Sequence, residues 1–196
     1  TIVTPTGYMQ LFFKRDWTPI SFRNSSKAER EKNYEFDHVS FGHDVEIAYL
    51  MLETSEALGI KNDTTTLRIA KKLVDHSLIN GFDYNNGGIF DRGYYFKDDN
   101  KLTIIQNTKE WWAQAEALNS FLMMSELFPN DKLDYYQKFC WQWDYIKKFV
   151  VDNEYGGWYW GGIDIVPANR TSPKASIWKG NYHTSRALIN CLRRLN

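Results

Sequence analysis

Charge of one sign, cysteine and long apolar runs are all scarce in this sequence. Its 24 Lys and Arg balance 24 Asp and Glu, which removes the electrostatic basis for nucleic acid or an anionic membrane as the main partner. No apolar stretch approaches the roughly 20 residues that a membrane-spanning helix needs. Cys140 and Cys191 are the only cysteines, and their spacing matches no zinc or redox motif, so they read as buried thiols of a reducing compartment. Thr1–Pro5 does not look like a secretory leader. A cytoplasmic location is therefore expected.

What the chain does have is a repeat. Its 196 residues, 43% hydrophobic, suffice for a real core in one or two domains. Gly42-His43-Asp44-Val45-Glu46-Ile47-Ala48, Trp112-Ala113-Gln114-Ala115-Glu116-Ala117-Leu118 and Tyr182-His183-Thr184-Ser185-Arg186-Ala187-Leu188 fall in register at intervals of 70 residues. A second landmark, Asp83-Tyr84-Asn85-Asn86-Gly87-Gly88, returns 69 residues later as Asp152-Asn153-Glu154-Tyr155-Gly156-Gly157. Self-similarity at a fixed period marks stacked copies of one supersecondary unit, each burying its apolar face against its neighbours.

The unit reads as helix, short turn, helix, long Gly-rich loop. Residues 1–22 alternate apolar and polar and suggest a short hairpin or loop excursion, and Asn24–Asn33 reads as a polar link. Helices are predicted from His43 to Leu58, after the cap Asp63-Thr64, over Thr108–Leu127, over Asp131–Val151 and from about Gly180 to Leu195. The loop Gly81–Gln106 carries an aromatic strand-like piece, Gly93-Tyr94-Tyr95-Phe96. Five helices make about two and a half units, which do not close a ring. Helical hairpins with long loops on one side point to a toroid of paired helices, in which His43, Trp112 and His183 line one pocket. An open α-solenoid is the competing architecture, but its repeats are usually shorter and lack such loops.

Two histidines at equivalent helix positions suit two-base proton transfer, in which one imidazole removes a proton next to a carbonyl and the other returns one from the opposite face. Glu46, three residues after His43, could orient that imidazole. Glu46 and Glu116 are register equivalents, so a glycosidase carboxylate pair is the main enzymatic alternative. His38, His43, Asp44 and Glu46 could in principle form a metal site, but their spacing matches no metal signature, and neither metal nor cofactor is predicted. His76, like His38, reads as structural. Aromatic residues make up 16% of the chain, with eight Trp, and Trp or Tyr outside a core suits the apolar face of a sugar ring, though aromatics dominate ordinary cores too. Trp178, just ahead of the last helix, is well placed to stack on such a ring. Of Trp111 and Trp112, adjacent on one helix, one is expected in the core and the other on the pocket.

Phe41-Gly42-His43-Asp44-Val45-Glu46, Lys109-Glu110-Trp111-Trp112-Ala113-Gln114-Ala115-Glu116-Ala117, Gly156-Gly157-Trp158-Tyr159-Trp160-Gly161 and Trp178-Lys179-Gly180-Asn181-Tyr182-His183 together resemble the N-acylglucosamine 2-epimerase family, most of all its cellobiose 2-epimerase branch. The resemblance implies an all-α (α/α)6 barrel, with residues 1–196 forming the C-terminal portion of a single barrel domain. It also implies metal-independent epimerisation at C2 of the reducing-end glucose of cellobiose-like disaccharides. By the same resemblance His43 and His183 are the catalytic pair, Glu46 and Glu116 support the site, and Trp112 and Trp178 contact the sugar. The partner is then a small carbohydrate, with no nucleic acid or membrane, and oligomeric state stays open. The sequence departs from the family at Asn181, where the branch usually has Pro, and in lacking the N-terminal half that supplies a further Arg and His. An N-acylglucosamine 2-epimerase, an aldose–ketose isomerase of the same fold and a non-catalytic carbohydrate-binding remnant are the remaining alternatives.

Overall fold

α4 (Trp111–Leu127) is buried on nearly every side, including its polar Gln114, Glu116, Asn119 and Ser120, and a helix buried all round must be central. The computed structural model describes residues 2–96 and 101–196. Around α4 lie α2 (Phe41–Ala57), α5 (Tyr135–Tyr145) and α6 (Tyr182–Leu195), while α3 (Thr64–Gly81) packs mainly on α2. Thus α2–α3 and α4–α5 are the helical hairpins of the repeat, and α2, α4 and α6 form a row of three equivalent helices. α3 starts where expected, because the Asp63 carboxylate accepts from the Thr66 amide at 3.0 Å. α5 runs on into one π-helical turn over Ile146–Val150.

The polar link expected at Asn24–Asn33 is instead part of a helix, α1 (Lys27–Asp37), capped by Ser26 and burying none of its residues. A helix without an apolar stripe leaves no periodic trace in a sequence. Three short antiparallel strands, β1 (Val39–Ser40), β2 (Arg92–Tyr95) and β3 (Leu102–Gln106), form a small sheet in register Val39↔Gly93 and Gly93↔Ile104. The fold is therefore mostly helical with a minor sheet in its long loop. Residues 97–100 of that predicted loop, and Thr1 of the N-terminal excursion, lie outside the described residues. The rest of the excursion makes two small turns, bridged at Val3↔Met9 and Phe13↔Pro19, and is strapped to α2 by the Met9 amide donating to Asp44 at 2.7 Å.

The second sequence landmark is a repeated loop. Asp83 N–H donates to the Gly88 carbonyl at 2.9 Å and Gly87 N–H to the Asp83 carbonyl at 2.8 Å; Asp152 pairs likewise with Gly157 and Gly156 at 2.9 and 3.0 Å. Both glycine pairs sit at φ of +81° and +75° respectively, a conformation that excludes ordinary side chains and explains the Gly-Gly signature. Lys109 ties the first loop to the start of α4, donating to Asp83 at 2.7 Å and to the Gly87 carbonyl at 2.8 Å. In the second loop Lys174 holds Asp152 and the Gly156 carbonyl, while Lys179, the register equivalent of Lys109, donates to the Trp158 and Tyr159 carbonyls at 2.6 and 2.7 Å. Burial holds the Lys179 ammonium down to about 8, with Lys174 adding to the fall. No described helix is long and apolar enough to cross a membrane.

Candidate active site at the helix N-termini

The first turns of α2, α4 and α6 open on one cavity of about 330 Å³, lined by His43, Glu46, Glu110, Trp111, Trp112, Trp160, Trp178 and His183. The register thus converges as expected. Trp112 stands between the two histidines, with ring centroids 4.8 Å from His43 and 5.7 Å from His183. Gly42 makes the first approach possible, since a Cβ there would lie 2.6 Å from Trp112 Cη2 and 2.8 Å from the Ala113 Cβ. Trp111 is buried beneath Trp160, with centroids 4.6 Å apart, and still closes part of the cavity wall; Trp112 is the more open of the pair. Trp178 lies on the rim, 78% exposed.

The two histidines are held differently. Nδ1 of His43 pairs with Ser40 Oγ at 2.6 Å, so Ser40, and not Glu46, orients this ring. Ser40 precedes α2 without capping it through its side chain, and its hydroxyl is free to reach one turn on. His43 is open to the cavity, yet the protein packed around it holds its pKa below the ordinary imidazole value, chiefly by desolvation. Glu46 works against that fall, and the neighbouring His183 and Arg92 add to it. His183 Nδ1 donates to the Glu116 carboxylate at 2.7 Å, and with Nδ1 engaged on both rings, Nε2 is the nitrogen left for exchange with a ligand.

Glu46 and Glu116 converge on Arg186. Its Nη2 donates to Glu46 at 2.7 Å and to Glu116 at 2.6 Å, and its guanidinium lies over the Tyr182 ring at 4.1 Å. Burial alone would lower the Arg186 pKa, but the Glu116 and Glu46 carboxylates raise it. Arg186 was not singled out in the sequence, although a signal was there: residues 46, 116 and 186 are one register position on three helices. The cluster does not suit a glycosidase pair, because Glu116 has no exposed surface and both carboxylates are spent on the guanidinium.

His38, His43, Asp44 and Glu46 do not gather as a metal site. His38 pairs with the Tyr34 carbonyl at 3.0 Å, and Asp44 turns from the cavity to Met9 and buried His76, since consecutive helix residues point about 100° apart. Burial pushes the Asp44 carboxyl up to about 6. The described residues that could supply converging ligands are Glu46, Glu116 and His183, where the Arg186 guanidinium already provides the cation.

The sequence profile of the N-acylglucosamine 2-epimerase (GlcNAc 2-epimerase) family matches residues 2–187. Cellobiose 2-epimerase of Bacteroides fragilis is 27% identical over 189 residues, covering 95% of this chain and 42% of that protein. The Dictyoglomus turgidum cellobiose 2-epimerase is 26% identical over 197 residues, covering 97% and 42%. Among solved structures, cellobiose 2-epimerase from Spirochaeta thermophila superposes with a TM-score of 0.73 at 27% identity, covering 99% of this chain and 43% of that one. The chain thus spans less than half the length of the relatives it matches, and its helical hairpins have the architecture of (α/α)6-barrel proteins. From its profile match, its repeat and the four motifs at one cavity, this chain belongs to the N-acylglucosamine 2-epimerase family.

Proposed function

We propose that this cavity is the proton-transfer site of a sugar 2-epimerase that inverts C2 of the reducing-end glucose of cellobiose or a related β-1,4-disaccharide without a metal. The observation that carries the reading is the pair of histidines flanking Trp112. With the sugar in its open-chain form, one Nε2 removes the C2 proton, the electron pair moves onto the C1 carbonyl oxygen to give an enediolate, and the other imidazole returns a proton to C2 from the opposite face as the C1 carbonyl re-forms. His43, whose packed surroundings lower its pKa and so favour the neutral imidazole, suits the base. His183, its ring held at Nδ1 by the Glu116 carboxylate, takes the acid role, and the roles exchange in the reverse direction. Arg186 bridges Glu46 and Glu116 and is a positioning residue. Trp112 and Trp178 offer apolar faces to the sugar.

On this reading residues 1–196 are the C-terminal portion of a single barrel domain, and the rest of the domain supplies the opposite wall. The balanced charge and paucity of cysteine fit a cytoplasmic enzyme acting on a small carbohydrate. Incubation with cellobiose in D2O, followed by proton NMR, tests it: deuterium at C2 together with a mannose-terminated product is expected. His183→Asn should lower the exchange rate by about 10²-fold or more, the scale of a lost general acid–base. Saturable binding with no exchange, even when the rest of the barrel domain is supplied, would instead identify a sugar-binding module, and release of glucose would identify a hydrolase.

A further inference from the structure

Glu110 sits just ahead of α4, yet its side chain does not cap that helix. Its Oε2 accepts from the Trp112 indole N–H at 2.8 Å, which lays the carboxylate along the cavity wall beside the histidines. The backbone beneath it is pinned: the Glu110 N–H donates to Asp91 at 3.0 Å, its carbonyl accepts from the Gln114 amide at 3.2 Å, and the residue pairs with Gly161 in an isolated bridge. The carboxylate is thus pre-set before a ligand arrives, which lowers the ordering cost of binding.

Its charge is also uncommitted. Glu46, the other carboxylate on the wall, is paired with Arg186, whereas Glu110 has no ion-pair partner among the described residues. Only Oε2 is occupied; Oε1 has no protein partner among the described residues, and it is not one of the fully buried orphan oxygens. A half-buried carboxylate on the cavity wall beside Trp112, with one acceptor oxygen unpaired among the described residues, is an arrangement that a polyhydroxylated ring completes. The hydroxyl supplies a donor for Oε1 while the ring face covers Trp112, and a hydrogen bond to a carboxylate is about twice as strong as a neutral one.

We infer that Glu110 is a substrate-binding residue whose Oε1 accepts a hydroxyl of the sugar lying against Trp112, and so selects for a ring carrying that hydroxyl. The inference rests on the sugar-acting function proposed above. Glu110→Gln isolates it, because glutamine keeps the shape and one oxygen for the Trp112 indole but presents an NH2 donor in place of the second acceptor. Cellobiose is titrated into the 15N-labelled chain while the tryptophan indole signals are followed. The expected result is a dissociation constant raised about tenfold or more, the loss of one charge-assisted bond, with the melting temperature unchanged and the ligand-free Trp112 indole signal, moved by its new acceptor, still single and sharp. An unchanged dissociation constant would overturn the inference and leave the proposed function standing. A lower melting temperature with a broadened Trp112 signal would assign Glu110 a structural role instead, and failure of the unsubstituted chain to bind cellobiose would overturn the inference, since this wall would then hold no sugar by itself.

Discussion

Replacing Arg186 with methionine removes a guanidinium that holds α6 to both α2 and α4. The loss is dominated by Glu116: it has no exposed surface, its Oε1 takes bonds from Arg186 and His183, and its Oε2 is buried with no partner. Glu46, 16% exposed, can recover hydration, whereas Glu116 cannot. Breaking a buried pair by removing one member costs about 3–5 kcal/mol, because the remaining charge is left uncompensated. For a chain of this size about 2–4 °C of melting temperature goes with each kcal/mol, so Arg186→Met should melt at least about 6 °C lower. The discriminating variant is Arg186→Met with Glu116→Gln, which removes the stranded charge while keeping an oxygen for His183 Nδ1. Urea unfolding followed by tryptophan fluorescence should show the double variant recovering more than half of the loss. A single-variant loss below about 1 kcal/mol, the range of an exposed pair, or a double variant no more stable than the single, would refute the argument that the clamp acts by neutralising Glu116.

Other expectations address the histidine, the buried lysine and the helix approach. In an NMR titration His43 should have its midpoint below the ordinary 6.5, and Glu46→Gln should move it lower still, because the Glu46 charge is what opposes the depression; an upward move would contradict the assignment. Lys179 has its folded pKa lowered to about 8 from 10.5, so between those values the unfolded chain binds more protons and stability rises with pH. That rise, measured by urea unfolding at pH 8 and 10.5, should be smaller in Lys179→Met than in the unsubstituted chain; equal rises would show that the lysine is not desolvated. Gly42→Ala places a Cβ against Trp112 and Ala113, an overpacking worth about 1–3 kcal/mol, and should shift the Trp112 indole signal; an unmoved signal would mean that the approach of α2 to α4 is not set there.

Local rules were sufficient where a residue acts on its own backbone. The helix after Asp63 and the Gly-Gly loops at positive φ express constraints that lie within a few residues of their cause, and the 70-residue register is legible by comparing the chain with itself. α1 was not, because its residues bury nothing and its polar sequence resembles a link. The site divides in the same way. That His43 and His183 meet, with Trp112 next to their register equivalent Ala113, follows from equivalence in the repeat, since equivalent positions of stacked units share one end of the assembly.

What each of these side chains does was decided only by tertiary structure. The sequence spacing allows Glu46 to reach His43 on the same helix face, but Arg186, 140 residues away, draws it off, and Ser40 takes the imidazole. Glu116 could have been a catalytic carboxylate until burial and two partners withdrew it from the cavity. The sequence by itself determined the repeat, the helical hairpins and the residues that gather at the helix N-termini, because periodicity and backbone conformation are local properties. Which carboxylate pairs with which cation, and which one stays open to a ligand, was settled by competition among charges brought together only when α2, α4 and α6 pack.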